Sequence, residues 1–144
     1  MSLLTIITIF FLVMEFTNVG ALYFFPGTKY ANAVGVFNAW EKSKQDLEVH
    51  RLVKYLTSWV AGTKLIFIGL LIVILLTADA TTQWWAAVVM VLSIASFFWK
   101  LFPLIRKMDN DDQISPKKYS LALGIMIAVF ISMFIIAVIF AWPF

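Results

Sequence analysis

The sequence predicts an all-α integral membrane protein, a four-helix bundle with both its N-terminus and C-terminus extracytoplasmic. Three observations lead there: apolar stretches long enough to cross a bilayer, basic residues confined to two connections, and tryptophans near the ends of the apolar stretches. Of 144 residues, 62% are hydrophobic and 13% charged. A soluble domain of this size cannot hide that much apolar surface, because roughly half of its accessible surface would still face water. One transmembrane domain over residues 1–144 is the expected organisation.

The first span is expected at about 3–25, roughly 34 Å of helix. It lacks a basic n-region and a small-residue cleavage site, so it does not resemble a signal peptide, and Pro26 and Gly27 end it. The second span covers 57–76. Its helix should start earlier, near Asp46, because Leu52, Leu56 and Val60 continue an apolar stripe; Ser43 and Asp46 have the spacing of a capping-box variant. Thr81 or Thr82 can cap a third span over 83–102, with Pro103 as a potential kink. Ser115 and Pro116 have the form of a helix start for a fourth span over 119–141.

Charge orients this model. The connection 26–56 holds Lys29, Lys42, Lys44, Arg51 and Lys54; the region around the second connection, 103–118, holds Lys100, Arg106, Lys107, Lys117 and Lys118. The turn from Thr77 to Gln83 holds only Asp79, and neither terminus contributes a basic residue. Ten basic residues on one side against none on the other make both connections cytoplasmic by the positive-inside rule. The net charge of +3 is thus a topology signal, and no nucleic-acid partner is expected. Trp84, Trp85 and Trp142 fall at outer span ends and Trp59, Trp99 and Tyr119 at inner ones, as headgroup-level rings do. The first connection also carries Val34, Val36, Phe37 and Trp40, compatible with either a short interfacial helix or a partly buried loop.

The candidate site rests on polar residues in apolar surroundings. Glu15 lies eight residues, about 12 Å, from Tyr23, and Lys64 lies seven residues, about 10 Å, from Thr57 at the same membrane side. Antiparallel helices bring the two to similar depth, where a carboxylate must be paired, protonated or hydrated. Asn18 shares a face with Glu15, and Ser93, Ser96 and Lys100 form a weaker stripe on the third span. Ser58, Gly62 and Gly69 offer small surfaces for close helix approach. Glu15, Asn18, Lys64 and Ser96 are therefore expected to form a ligand, ion or proton site open to the cytoplasm. The structural alternative is a Glu15–Lys64 pair that only joins two helices, and serines that bond their own helix carbonyls. His50, Arg51 and Lys54 are candidate contacts for headgroups or anions. Cysteine is absent, which excludes disulfides and thiolate chemistry. No metal site or cofactor is expected: His50 is the single histidine, and Asp109, Asp111 and Asp112 lack the glycine and glutamate of a calcium loop and read as solvated.

Three functions follow. Transport of a small polar solute, ion or proton through an oligomeric assembly is the leading one, since four helices enclose little space. The others are an accessory or assembly subunit of a larger membrane complex, and a membrane enzyme acting on a lipophilic substrate. Size and span number resemble the membrane-bound glutathione transferase family, but Glu48, Val49, His50 and Arg51 do not reproduce that family's arginine- and asparagine-rich pattern. Membrane lipids, a second copy or a larger membrane complex are the expected partners, and the cell (inner) membrane is the expected location.

Overall fold

The computed structural model describes residues 2–142. Among the described residues there are six α-helices: α1 (Leu3–Phe24), α2 (Asn38–Ser43), α3 (Leu47–Thr77), α4 (Ala80–Ala95), α5 (Phe97–Asn110) and α6 (Tyr119–Phe140), with a 3₁₀ turn at Val34–Val36. By length and composition four units can cross a membrane: α1, α3, α4 and α5 taken together, and α6.

Caps explain where the helices begin; α3 starts beside Asp46 as expected, while the part of Ser43 and the caps of α4 and α6 differ from the sequence expectation. The α3 start is capped by Asp46 Oδ1, which accepts from the Glu48 and Val49 amides at 2.9 and 3.2 Å; Ser43 takes no part in it. At α4 the cap is Asp79, which accepts from the Thr82 amide at 2.7 Å, so neither Thr81 nor Thr82 is the cap. Ser115 and Pro116 do not start α6. Asp109, projecting from α5, takes the cap: its Oδ1 accepts from the Lys118 amide, and its Oδ2 from the Ser120 amide and hydroxyl at 2.9 and 2.6 Å. Asp109 is therefore a joint between two helices, contrary to its reading as a solvated loop residue, while Asp112 pairs with Lys117 at 2.8 Å.

The Asp79 cap carries a pH signature. The Thr82 amide first, then the Thr82 hydroxyl, hold the Asp79 carboxyl below the usual carboxylate range. A depressed native pKa stabilises fully above the unfolded-state value and is lost as pH falls through the native one. In detergent, the stability difference between wild type and Asp79→Ala should be present at neutral pH and shrink in acid. A difference that stays constant with pH would remove the charged cap from the account.

The third span breaks at Ser96, seven residues before Pro103. Ser93 donates to the Val89 carbonyl and Ser96 to the Ser93 carbonyl, at 2.8 and 2.6 Å, and Trp99 N–H bonds the Ser96 carbonyl three residues back. Such serine back-bonding loosens a helix locally. Past the break the helix continues through Pro103 to Asn110, leaving a shorter second connection than 103–118.

α1 is the central helix, packed against α3 on one side and α6 on another; α6 also packs on α4 and α5. Phe11 of α1 meets Phe67, Phe130 and Phe134 edge-on, at centroid distances of 6.2, 5.4 and 5.5 Å. Such pairs add about 0.5–1.5 kcal/mol each beyond area burial. At the hairpin end Trp84 packs between Trp85 and Trp142, and its indole N–H donates to the Val138 carbonyl at 2.9 Å. Only 17% of the apolar window of α3 and 11% of that of α4–α5 is buried, against 39% for α1. Apolar area left uncovered on that scale is sustainable in lipid and not in water.

Candidate functional site

The buried residues of α3 are Thr57, Ala61, Ile68 and Leu71, and Lys64, which meets Glu15 of α1, falls on the same stripe at spacings of four, three, four and three. Ala61, fully buried, supplies the small contact surface; Ser58 and Gly69 point away and are exposed. Gly62 is half-buried, and a Cβ there would come within 3.2 Å of Tyr23 Oη. This rotation of α3 turns Lys64 inward.

Lys64 Nζ lies 2.8 Å from Glu15 Oε2 and donates to Asn18 Oδ1 at 2.6 Å. The side chains of Lys64 and Glu15 retain 29% and 22% of their exposure, so the pair is shielded but not sealed. Asn18 is buried, and its Nδ2 donates to the carbonyls of Ala31 and Asn32 at 2.5 and 3.1 Å. With Oδ1 committed to an ammonium and Nδ2 to two carbonyls, the amide has one self-consistent orientation. Asn32 Oδ1 in turn accepts from the Tyr119 hydroxyl of α6. Glu15, Lys64, Asn18, Asn32 and Tyr119 thus form a continuous polar chain from mid-helix to the basic end.

At that end the two basic connections lock together. Asn38 N–H donates to the Gln113 carbonyl at 2.9 Å and Ser115 N–H to the Val36 carbonyl at 2.8 Å, the bonds of an isolated antiparallel bridge. The Asn38 side chain adds a bond to the Asp112 carbonyl, and Lys29 one to Ser115 Oγ. Val36, fully buried, forms a second small core with Ile105, Ile114 and Leu123. Gly35 is required: a Cβ there would lie 2.0 Å from the Gly27 carbonyl oxygen. Of its two readings, the first connection is the partly buried loop, with Ala33, Val36 and Trp40 buried, and its one short α-helix, α2, covers only Asn38–Ser43. The connection is a folded cap.

His50 belongs to this cap. Its ring packs 5.0 Å from that of Trp40, and Nδ1 lies 2.8 Å from Ser43 Oγ. The single Ser43 hydroxyl proton goes to the Trp40 carbonyl, so His50 Nδ1 is the donor to Ser43 and carries the proton. His50 thereby ties α2 to α3. Arg51 and Lys54 are exposed on the first turns of α3. At 31 residues, or about 46 Å, α3 exceeds the roughly 30 Å apolar slab and these turns extend beyond it. Ser96 is not brought to the polar chain. It is exposed at the α4–α5 break, with its hydroxyl spent on its own helix.

Two voids lie beside α1, neither of them lined by Glu15 or Lys64. One, of about 10 Å³ between Leu4, Thr8, Leu71, Gln83 and Met90, holds no more than a water. The other is an open apolar groove of about 270 Å³ along Leu12, Val13, Phe16, Thr17, Ile68 and Ile72.

The fold and the polar chain define a multi-pass helical protein of membrane type. No family model matches the chain, and no similar curated protein or solved structure was found.

Proposed function

We propose that the protein is a four-span membrane subunit, with both termini extracytoplasmic, whose folded cytoplasmic cap is a docking platform within a larger membrane assembly. The observation that carries this reading is the locking of two connections, more than 70 residues apart in sequence, into one hydrogen-bonded surface. Ordering loop residues opposes folding by about 1–2 kcal/mol each. A connection that only joins two spans does not need that order, whereas a preformed recognition surface binds with less entropy loss. The committed Asn18 amide supports a holding role for the polar chain.

A photo-crosslinker at the exposed cap residue Lys42, used in native membranes, should give one discrete heterologous adduct. The same probe at Leu76, at the opposite end of α3, should not. Diffuse labelling from both positions would count against a platform.

Transport through an oligomeric assembly is the second reading, favoured by one observation: the Glu15–Lys64 pair keeps some exposure. Under this reading Glu15→Gln abolishes flux of protons or small polar solutes in proteoliposomes while the protein stays folded. Under the platform reading that substitution leaves the Lys42 adduct intact and there is no flux to abolish.

A further inference from the structure

Ala31 and Asn32 are consecutive non-glycine residues in the left-handed region, with φ of 52° and 54°. Such residues persist where their surroundings over-determine them. Here the carbonyls of both converge on one donor, Asn18 Nδ2, and the Asn32 side chain is held from α6 by Tyr119. Asn18 can present Nδ2 to the loop only while Oδ1 faces elsewhere, and it faces the Lys64 ammonium. Lys64 is itself held by Glu15. Each contact in the series sets the orientation of the next.

We propose that Lys64 is a positioning residue that acts through Asn18, so that the ion pair within the span sets the order of the cap at the basic end. The proposal deepens the platform reading by naming what regulates the platform. Whatever withdraws Lys64 from Asn18 releases the left-handed turn, and with it the segment that places Val36 and Asn38 against Ile114 and Gln113. Glu15 acts one contact further away. Glu15→Gln leaves the Lys64–Asn18 bond possible and has a smaller effect than loss of Lys64.

Hydrogen exchange on the full chain in lipid nanodiscs tests this directly. The amides of Thr28, Ala33 and Gly35 are bonded within the loop, to the carbonyls of Phe25, Tyr30 and Pro26, and report its order. In Lys64→Met and Asn18→Leu, exchange over residues 26–37 should rise roughly tenfold or more relative to residues 123–134 of α6, the factor expected for losing a charge-assisted hydrogen bond. Lys64→Arg, which keeps a charged donor, should restore protection. The proposal is overturned if Asn18→Leu loosens the loop and Lys64→Met does not, or if Lys64→Met speeds both regions in proportion. Exchange that follows Lys64 with no partner adduct from Lys42 would sink the platform reading and leave this coupling standing.

Discussion

Gly35→Ala is expected to dismantle the cap while the four spans stay assembled. The added Cβ would lie 2.0 Å from the Gly27 carbonyl oxygen, 2.3 Å from the Gly27 carbonyl carbon and 2.4 Å from the Thr28 carbonyl oxygen. All three are backbone atoms, so no side chain can rotate away and the turn itself must open. Overpacking of this kind costs about 1–3 kcal/mol and sometimes more. The loss should stay local, because Gly35 belongs to the cap and contributes nothing to the Phe11 cluster that joins α1, α3 and α6. Limited trypsin digestion should cut at Lys29, Lys42 or Lys44 much faster in Gly35→Ala, with helix content and elution volume unchanged. Gly69→Ala is the control. It faces open space, and the change gains up to about 1 kcal/mol of helix propensity. Equal protease resistance in Gly35→Ala and wild type would mean that the loop is not built as described.

Lys64→Met is the second large effect, and it reaches the bundle as well as the cap. It leaves the Glu15 carboxylate without its counter-ion and Asn18 Oδ1 without its donor. Removing one partner of a fully buried pair costs about 3–5 kcal/mol, because the remaining charge is uncompensated. The residual exposure of both side chains reduces this to about 2 kcal/mol. Glu15→Gln should lose less, since a neutral amide remains beside a lysine that still reaches Asn18. Glu15→Leu combined with Lys64→Met should recover part of the loss, giving a double-mutant coupling of about 1 kcal/mol or more. Unfolding midpoints in a mild detergent measure Lys64→Met, Glu15→Leu, their double variant and Glu15→Gln. Additive losses would show that the two groups meet in space without supporting one another.

The depth of the polar residues was legible before any fold was known. A rise of 1.5 Å per residue puts Glu15 and Lys64 level when counted from the same membrane side, and their side chains meet at 2.8 Å. Asn18, three residues on from Glu15, shares its face and joins the same chain. Ser96 shows where this reasoning stops. It has a compatible depth, yet it sits on a span whose apolar window is mostly uncovered and which turns it outward. The capping of α6 by Asp109 was equally hidden, because carboxylate and amides are brought together only by the turn between α5 and α6. Tyr119 read as an interfacial aromatic; nothing local marked its hydroxyl as the partner of Asn32.

Sequence alone determined how many apolar segments there are, which connections share the basic end, and how deep each polar side chain lies. Those properties depend on segment length, hydropathy and the fixed helical rise, all of which are local. Tertiary structure decided how each helix is rotated, which helices touch, and that two basic connections fold into one cap. The spans are apolar around most of their circumference, so hydrophobicity does not select the face that turns inward. Rotation is set by contacts between distant residues: Ala61 and Lys64 against α1, and the aromatic cluster around Phe11.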